Sequence, residues 1–358
     1  MTTINAACTA PDPARLTVPE QIQRAMFTAL GRVPRAMLRR LVPPTVNSDG
    51  DVMEPEIALL MRVAAGAPDF SDGTVADARA IMEADCRVFA DKSETVDVDS
   101  GIVLPSGIRA SLYRPKVRSR GLVLFLHGGG FVLGSRRAYD SPARLIAARA
   151  GVNVLSVEYR LAPEAPFPAP VDDAWEAWRF AVEHCADWGI DPARIVLLGD
   201  SAGANLCAVL SNQLQGEALR PRMQVLMYPF VDAVGGYRSR DEFADNPALT
   251  GKQIEWLGEL YVPDAGDRSD PRVSPILAED LSQVPATLIT VAGFDPLRDE
   301  AIAYAKRLND SGVPTRLVRE SGLVHGYLSM TQISPAARDA VDRIAAAISR
   351  AVASERQE

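Results

Sequence analysis

Residues 194–203 read Arg194-Ile195-Val196-Leu197-Leu198-Gly199-Asp200-Ser201-Ala202-Gly203. The apolar run before Gly199 predicts a buried strand, and the residues after Ser201 predict a helix. Gly-x-Ser-x-Gly between two such elements is typical of a sharp strand-to-helix turn that lifts a serine hydroxyl clear of the sheet. Glycine lacks a Cβ, so the strand and the helix can approach closely there. The alternative is a turn without chemical function, and partners for Ser201 elsewhere in the chain must decide between the two.

The composition of the 358-residue chain restricts the class of protein. Hydrophobic residues make up 47% of it, enough to bury the core of one large domain or of a domain with a lid. A net charge of -8 and the lack of a basic block argue against a nucleic-acid partner. The three histidines are far apart in the sequence and form no metal-ligand spacing, so we expect no bound metal.

We expect a cytoplasmic protein without stable membrane insertion. Residues 1–5 lack the basic start and the apolar run of a signal peptide. No apolar segment reaches the length that spans a bilayer. The cysteines Cys8, Cys86, Cys185 and Cys207 are scattered and form neither a Cys-x-x-Cys pair nor a dense disulfide framework. This pattern is typical of a reducing compartment.

The N-terminal quarter of the chain predicts short helices. Apolar residues recur at helical spacing over 19–41, with Gly31 and Pro34 dividing the segment in two. Five arginines lie in the same segment, and a helix of that composition could lie on a membrane surface. A solvent-exposed charged face is the more frequent cause, and we favour it. Further helices are predicted at 57–63 and 75–88.

From residue 94 onward, strands alternate with helices. Two stretches of alternating apolar and polar residues flank the turn Pro105-Ser106-Gly107 and predict an antiparallel hairpin. Apolar runs predict further strands at 121–126, 152–157, 194–198, 224–228, 286–292 and 315–319. The intervening helices complete an α/β fold, doubly wound around a mostly parallel sheet. Residues 230–275 are polar and irregular apart from a helix at 250–261, which predicts a lid.

Four chemically suggestive stretches each follow a predicted strand. They are His127-Gly128-Gly129-Gly130, residues 199–203, Asp295 and His325. Ligand sites form beyond the carboxyl ends of such strands, so we expect these stretches to meet. A serine nucleophile needs a base to take its proton. His325 is the best candidate, because His184 lies within a helix and His127 begins the glycine loop.

A catalytic histidine in turn needs a carboxylate that holds its tautomer and stabilises the imidazolium. Asp295 follows an apolar strand and is the preferred candidate, whereas Asp299 lies about a turn into the next helix. Asp295 could instead cap that helix, and a histidine before glycine could be an ordinary turn residue. The resulting chain order of Ser201, Asp295 and His325 is the order expected of an α/β-hydrolase.

Backbone N–H groups are needed to stabilise the oxyanion of a tetrahedral intermediate. The loop Gly128, Gly129 and Gly130 can supply them, because a glycine backbone approaches a substrate without steric cost. We expect two of these amides, those of Gly129 and Gly130, to act together with the amide of Ala202. A dinucleotide-binding loop does not fit, since no Gly-x-Gly-x-x-Gly pattern opens a helix there. His127 is expected to brace the loop rather than to titrate in catalysis.

Together these motifs resemble the hormone-sensitive-lipase-like (bacterial family IV) carboxylesterases of the α/β-hydrolase superfamily. The matching residues are His127-Gly128-Gly129-Gly130-Phe131, Tyr159-Arg160-Leu161-Ala162-Pro163-Glu164, Gly199-Asp200-Ser201-Ala202-Gly203, Asp295-Pro296-Leu297-Arg298-Asp299-Glu300 and His325-Gly326-Tyr327. The resemblance implies an α/β-hydrolase fold with an eight-stranded sheet flanked by helices and a helical cap. It also implies hydrolysis of short- to medium-chain carboxylic esters without a metal or cofactor, and often a homodimer.

The same resemblance divides the chain into core and cap. Residues 1–90 are predicted to contribute helices to the cap and residues 230–275 to form the cap insertion. Residues 91–229 and 276–358 are predicted to be the two parts of the core. The N-terminal region is longer than this family usually needs and matches no motif that we can name, so substrate choice stays open.

The sequence thus predicts a serine carboxylesterase. Ser201 would attack an ester carbonyl while His325 accepts its proton and Asp295 orients the histidine, and water would then hydrolyse the acyl-enzyme. The same machinery could instead cleave an amide or a lactone, or transfer an acyl group. A non-catalytic α/β-hydrolase that binds a small ligand is a further alternative, which the presence of His325 disfavours.

Overall fold

The computed structural model describes residues 16–91 and 94–353. Cys8 falls outside these residues. The strands of the described part are β1 (Asp97–Val103), β2 (Arg109–Arg114), β3 (Leu122–Leu126), β4 (Asn153–Val157), β5 (Ile195–Asp200), β6 (Met223–Met227), β7 (Thr287–Phe294) and β8 (Thr315–Val324).

These strands form one eight-stranded sheet in the order β1-β2-β4-β3-β5-β6-β7-β8. From β4 to β8 along the sheet, all neighbouring strands are parallel. β2 is antiparallel to both of its neighbours, β1 and β4. The predicted mostly parallel sheet of eight strands is therefore confirmed, and the predicted hairpin is β1 and β2.

Three of the described helices begin at a threonine that caps them. The described helices are α1 (Val18–Leu30), α2 (Arg35–Leu41), α3 (Pro55–Ala64), α4 (Val75–Phe89), α5 (Asp140–Ala150), α6 (Ala169–Trp188), α7 (Ala202–Gln213), α8 (Arg238–Glu242), α9 (Gly251–Tyr261), α10 (Arg298–Asp310) and α11 (Pro335–Ala353). A threonine caps α1, α4 and α9 by accepting a backbone N–H in the first turn: Thr17, Thr74 and Thr250. None of the helices described is long and apolar enough to cross a membrane.

Helices cover both faces of the sheet, which is why its central strands are apolar at successive positions. On β3, Leu122, Leu124 and Leu126 pack into a core shared with α6, α7 and α10. Val123 and Phe125 point the opposite way, into a core shared with α5 and α11. Burying each such side chain contributes about 1.5–3 kcal/mol to folding. The two cores hold the strands in register, and this register brings the strand ends together at one edge.

Two elements differ from the sequence prediction. β8 continues to Val324 instead of ending near position 319, because it stays paired with β7 along its length. The added residues carry the chain directly to position 325. The helix α8 was not predicted, since its sequence Arg-Ser-Arg-Asp-Glu has no apolar residue and therefore no helical period.

The helix α1 is predicted correctly, but two of the apolar residues that predict it do not lie on its packed face. Ile22 and Met26 are 58% and 64% exposed. The helix instead contacts α4, where Arg24 Nη2 donates to the carbonyl oxygen of Ala90 at 2.9 Å. Of the arginines predicted to lie on a solvent-exposed face, Arg39 does so and Arg24 does not.

The N-terminal region meets the segment after β6 at the edge of the sheet where the strands end. Gln253 Nε2 on α9 donates to Asp69 Oδ1 at 3.0 Å. The ring of Trp256 packs edge-on against that of Phe70, with centroids 5.9 Å apart. Phe70 lines the same cavity as Ser201, so this contact covers one side of it. The division into core and cap at positions 90, 229 and 275 stays a prediction.

Candidate active site

Ser201 occupies the turn between β5 and α7. Its φ of 53° and ψ of -117° lie in a region that residues other than glycine rarely adopt, so its surroundings must hold it there. Its N–H donates to the carbonyl oxygen of Met227 at 2.9 Å. A Cβ on Gly203 would lie 2.0 Å from the carbonyl oxygen of Leu126, and one on Gly199 would lie 2.3 Å from the backbone of Gly203. Packing of β3 and β5 against α7 therefore requires both glycines of Gly-x-Ser-x-Gly.

The three side chains predicted to cooperate lie in one hydrogen-bonded line. Ser201 Oγ is 3.0 Å from Nε2 of His325, and Nδ1 of the same ring is 2.8 Å from Asp295 Oδ2. A neutral imidazole that donates from Nδ1 to the carboxylate can accept the serine proton at Nε2. Asp295 is completely buried, and its other oxygen accepts the N–H of Leu297 at 2.8 Å. This second bond orients the carboxylate toward the histidine.

The competing acid and base lie elsewhere. Asp299 accepts the backbone N–H of Ser239 at 3.0 Å and the Nε–H of Arg298 at 2.8 Å, so its oxygens serve the start of α8 and α10. The Nδ1 atom of His184 is hydrogen bonded to the carbonyl oxygen of Phe180 within α6, at 3.0 Å. The structure thus separates Asp295 and His325 from their rivals by position.

The glycine loop supplies two free amides rather than three. The N–H of Gly128 donates to Asp200 Oδ1 at 2.9 Å, so this amide is not available to a substrate. Gly129, Gly130 and Ala202 all line the cavity that contains Ser201. Within the described residues, the N–H groups of these three have no hydrogen-bond acceptor. The N–H of Gly128 thus serves Asp200, and the amides left for a substrate are those of Gly129, Gly130 and Ala202; that these three bind an oxyanion stays a prediction.

A cavity of about 400 Å³ opens at Ser201 and His325. Most of its wall is apolar, and much of it comes from outside the sheet. The N-terminal region, the glycine loop and the segment after β6 contribute Met82, Phe131, Phe230, Leu257 and Tyr261. The rings of Phe131 and Tyr261 stack with centroids 3.7 Å apart, which fixes one wall. A cavity of this size and lining suits a small, largely apolar molecule.

The sequence profile of the alpha/beta hydrolase fold family matches residues 123–329. The chain belongs to this family. Carboxylic ester hydrolase LipN of Mycobacterium tuberculosis is 39% identical over 302 residues, which cover 81% of this chain and 80% of that protein. Ethyl acetate hydrolase of Pseudomonas putida is 37% identical over 267 residues, which cover 72% of this chain and 84% of that protein.

Solved structures of ester hydrolases have the same fold. An ester hydrolase named EH1AB1, from the metagenome of Lake Arreo, matches with a TM-score of 0.80 at 33% identity, over 84% of this chain and 100% of the other. A hyperthermophilic esterase from the archaeon Pyrobaculum calidifontis matches with a TM-score of 0.76 at 36% identity, over 82% of this chain and 96% of the other. Membership of the hormone-sensitive-lipase-like carboxylesterases, predicted from the motifs, is thereby confirmed.

His127 of this α/β-hydrolase is buried and holds the glycine loop in position. Its Nδ1 bonds the carbonyl oxygen of Gly128 at 2.8 Å, and its ring stacks on that of Tyr159 with centroids 4.3 Å apart. The hydroxyl of Tyr159 donates to the carbonyl oxygen of His127 at 2.7 Å. Burial lowers the pKa of His127, so the ring is neutral and can donate from Nδ1. These contacts are those of a bracing residue.

Asp200, the residue before the nucleophile, ties the turn at Ser201 to the glycine loop. Besides the N–H of Gly128, it accepts the hydroxyl of Tyr139 at 3.1 Å and that of Tyr228 at 3.5 Å. Burial raises the pKa of Asp200 to about 6. The hydroxyl of Tyr228 also accepts the N–H of Leu328 at 3.3 Å, three residues after His325.

Sequence reasoning missed the two tyrosines that hold Asp200. Tyr139 lies just before α5 and Tyr228 just after β6, and neither belongs to a recognisable motif. Tyr228 has a positive φ of 37°, which is rare outside glycine and asparagine. A strand end followed by an aromatic residue is too common a pattern to have singled them out.

Proposed function

We propose that this protein is a serine carboxylesterase that hydrolyses short- to medium-chain carboxylic esters through an acyl-enzyme on Ser201. The observation that carries the proposal is the hydrogen-bonded line from Asp295 through His325 to Ser201, which ends in an apolar cavity. Belonging to the hormone-sensitive-lipase-like carboxylesterases supports the same reaction.

Acylation begins with attack of Ser201 Oγ on the ester carbonyl carbon. His325 Nε2 takes the serine proton as the new bond forms, and Asp295 stabilises the resulting imidazolium. The amides of Gly129, Gly130 and Ala202 donate to the carbonyl oxygen as it becomes negative. Collapse of the tetrahedral intermediate breaks the bond to the alcohol, which leaves with the proton from His325.

Deacylation repeats these steps with water as the nucleophile. His325 removes a proton from a water molecule, the hydroxide adds to the acyl carbon, and the same amides stabilise the oxyanion. The histidine then returns the proton to Ser201 Oγ as the acid is released. No redox change occurs, and this chain's own side chains supply every proton transfer.

The range of substrates is proposed from the size of the cavity and from relatives. A cavity of about 400 Å³ with mainly apolar walls accommodates acyl chains of a few carbons together with a small alcohol. The name of the Pseudomonas putida relative describes hydrolysis of ethyl acetate, which falls within this range. The mainly apolar lining favours aliphatic acyl chains over sugars or peptides.

The assembly and the location of the protein are proposed from the family resemblance and from its cysteines. The family resemblance supports a homodimer, and the scattered cysteines support a cytoplasmic location. We further propose that residues 1–90 and 230–275 act together as the cap, for which the contact of Gln253 with Asp69 is the support. Light scattering of the purified protein would give the number of subunits.

The experiment for the proposed function compares wild type with Ser201→Ala on p-nitrophenyl butyrate. We expect the variant to retain its fold, measured by circular dichroism, and to lose hydrolysis to near the uncatalysed rate. A fluorophosphonate probe should label the wild type and not the variant. Hydrolysis by the variant at the wild-type rate would reject Ser201 as nucleophile, and an unlabelled, inactive wild type would favour the ligand-binding alternative.

A further inference from the structure

Two arginines line the cavity that contains Ser201, although most of its wall is apolar. Arg240 lies on α8 and Arg268 lies further along the segment between β6 and β7. A cation that faces an apolar cavity is unfavourable unless an anion accompanies it. The pairing of each arginine therefore decides what kind of molecule the cavity can take.

Arg240 is fixed in place by a buried carboxylate. Its Nε and Nη2 donate to Glu300 Oε2 at 3.0 and 2.5 Å, and Nη2 also donates to the carbonyl oxygen of Asp232 at 3.1 Å. Glu300 is completely buried, and its other oxygen accepts the N–H of Val231 at 2.8 Å. Among the described residues, Nη1 of Arg240 has no partner. The guanidinium is thus held rigidly with one edge free.

Arg240 is close to the reacting centre. The N–H of Phe230 lies 3.4 Å from the carbonyl oxygen of Ser201. The ring centroid of Phe230 lies 5.8 Å from Cζ of Arg240 and 6.2 Å from the ring centroid of Phe131. Arg240 and Phe230 therefore lie next to each other on the wall of the cavity that contains Ser201.

Arg268 adds an unbalanced positive charge. Its side chain makes no ion pair or hydrogen bond within the part of the chain described, although its carbonyl oxygen is fixed by Ser274 Oγ at 2.7 Å. The nearby Arg272 is, by contrast, paired with Asp270 at 2.7 Å. Glu300 neutralises Arg240, so Arg268 is the cavity-lining arginine that has no counter-ion among the described residues.

The two carboxylates of the cavity wall, those of Asp200 and Glu255, do not pair with Arg268. Asp200 is buried beneath Ser201, and its oxygens accept hydrogen bonds from Gly128 and Tyr139. Glu255 on α9 is exposed and makes no ion pair with either arginine among the described residues. An anionic group of the substrate can therefore take the place of the missing partner.

We propose that Arg268, together with the free edge of Arg240, forms a subsite for a carboxylate. The substrates it would favour are esters that carry a second, ionised carboxyl group remote from the scissile carbonyl, such as half-esters of dicarboxylic acids. A guanidinium binds a carboxylate through paired, charge-assisted hydrogen bonds, which are stronger than neutral ones. This subsite rests on the proposed function and refines its substrate class.

The test compares two ethyl esters of equal chain length, monoethyl adipate and ethyl hexanoate. The readout is the ratio of kcat/KM for the charged ester to that for the neutral one. Substitution Arg268→Gln should lower this ratio about tenfold or more, mainly by raising KM for monoethyl adipate. The control Arg272→Gln removes the same charge from the same segment and should leave the ratio unchanged.

A double variant tests the contribution of Arg240 without leaving Glu300 unpaired. Replacing both members of the pair, Arg240→Met with Glu300→Met, should also lower the ratio, while hydrolysis of ethyl hexanoate reports that the enzyme is folded. Sodium 4-acetoxybutanoate, compared with butyl acetate, shows whether the carboxylate is accepted on the alcohol side instead of the acyl side.

The proposed subsite is rejected if the ratio of kcat/KM for monoethyl adipate to that for ethyl hexanoate is unchanged in Arg268→Gln. It is also rejected if this ratio falls equally in Arg272→Gln. A wild type that cleaves ethyl hexanoate but neither carboxylate ester rejects it too, and in that case the proposed esterase function stands. Failure of the wild type on every ester instead rejects the proposed function itself. The two proposals can therefore fail separately.

Discussion

Asp295 is hydrogen bonded to His325, the proposed catalytic base, although a second aspartate lies only four residues later in the sequence. The carboxylate of Asp295 lies 2.8 Å from Nδ1 of His325, whereas Asp299 accepts hydrogen bonds from Ser239 and Arg298. The preference for Asp295 could be predicted from its place directly after an apolar strand. The role of Asp299 could not, since it depends on α8, which the sequence did not reveal.

Replacing the first aspartate should therefore affect catalysis far more than replacing the second. Asp295→Asn should lower kcat on p-nitrophenyl butyrate by about 10³–10⁴-fold, because the amide favours the wrong histidine tautomer and cannot stabilise the imidazolium. Asp299→Asn should lower kcat less than about tenfold, since no contact to His325 is lost. Steady-state kinetics on both variants would check this, and a larger loss in Asp299→Asn would contradict the assignment.

The buried Asp200 should make stability depend on pH. Burial raises its pKa in the folded state from 3.8 to about 6, so the folded protein binds this proton more tightly than the unfolded chain does. Its stabilising contribution is full below about pH 4 and is lost as the pH rises through about 6. The change amounts to at most about 3 kcal/mol.

Asp200→Asn removes this titration. The quantity to follow is the free energy of unfolding of wild type minus that of Asp200→Asn. This difference should decrease as the pH rises from about 4 to about 7, because only wild type loses the stabilising contribution of the proton. Urea unfolding at a series of pH values would measure the difference, which cancels the effects of the other carboxylates. A difference that stays constant across the series would show that Asp200 is not the titrating group.

The turn between β5 and α7 requires backbone contacts that are too close to leave room for a Cβ atom at Gly199 or Gly203. Gly203→Ala would place a methyl group 2.0 Å from the carbonyl oxygen of Leu126, so β3 and α7 would have to separate. We expect a loss of at least about 3 kcal/mol in the free energy of unfolding. If the protein no longer accumulates in soluble form, limited proteolysis in cell extract would report the same loss.

Gly258→Ala is the matched substitution in a helix. No heavy atom lies within 4 Å of a Cβ at this position of α9, so alanine should stabilise the helix by up to about 1 kcal/mol. Equal effects of the two substitutions on urea unfolding would mean that close packing does not explain the glycine at 203.

Some elements could be predicted from the sequence and others could not, for physical reasons. The strands β3 to β7 are short apolar runs because helices cover both faces of the sheet there. The second half of β8, which includes Glu320 and Ser321, has no such run, and its pairing with β7 alone makes it a strand. The short helix α8 is likewise held by distant contacts, such as that of Ser239 Oγ to the carbonyl oxygen of Pro296 at 2.8 Å.

The candidate active site joins parts of the chain that are far apart in sequence. Four different strands lead to the parts of the proposed site, which are the glycine loop, Ser201, Asp295 and His325. The parallel register of these strands therefore brings the four parts together at one edge of the sheet. The motifs therefore predicted the centre of the site. The wall of the cavity comes from the N-terminal region and from the segment between β6 and β7, whose packing no local pattern encodes.

The ion pair of Arg240 with the buried Glu300 is one of the contacts that hold the segment between β6 and β7 against α10. Glu300 lies in the first turns of α10 and also accepts the N–H of Val231, so both ends of the link are fixed. Glu300→Ala should lower the free energy of unfolding by about 3 kcal/mol, because it leaves a partly buried guanidinium and a backbone N–H without partners. Arg240→Met with Glu300→Met should regain much of this loss, since two apolar side chains replace two charges. Urea unfolding of the three proteins would measure both steps, and a double variant no more stable than Glu300→Ala would mean that the link acts through the Val231 bond rather than through the ion pair.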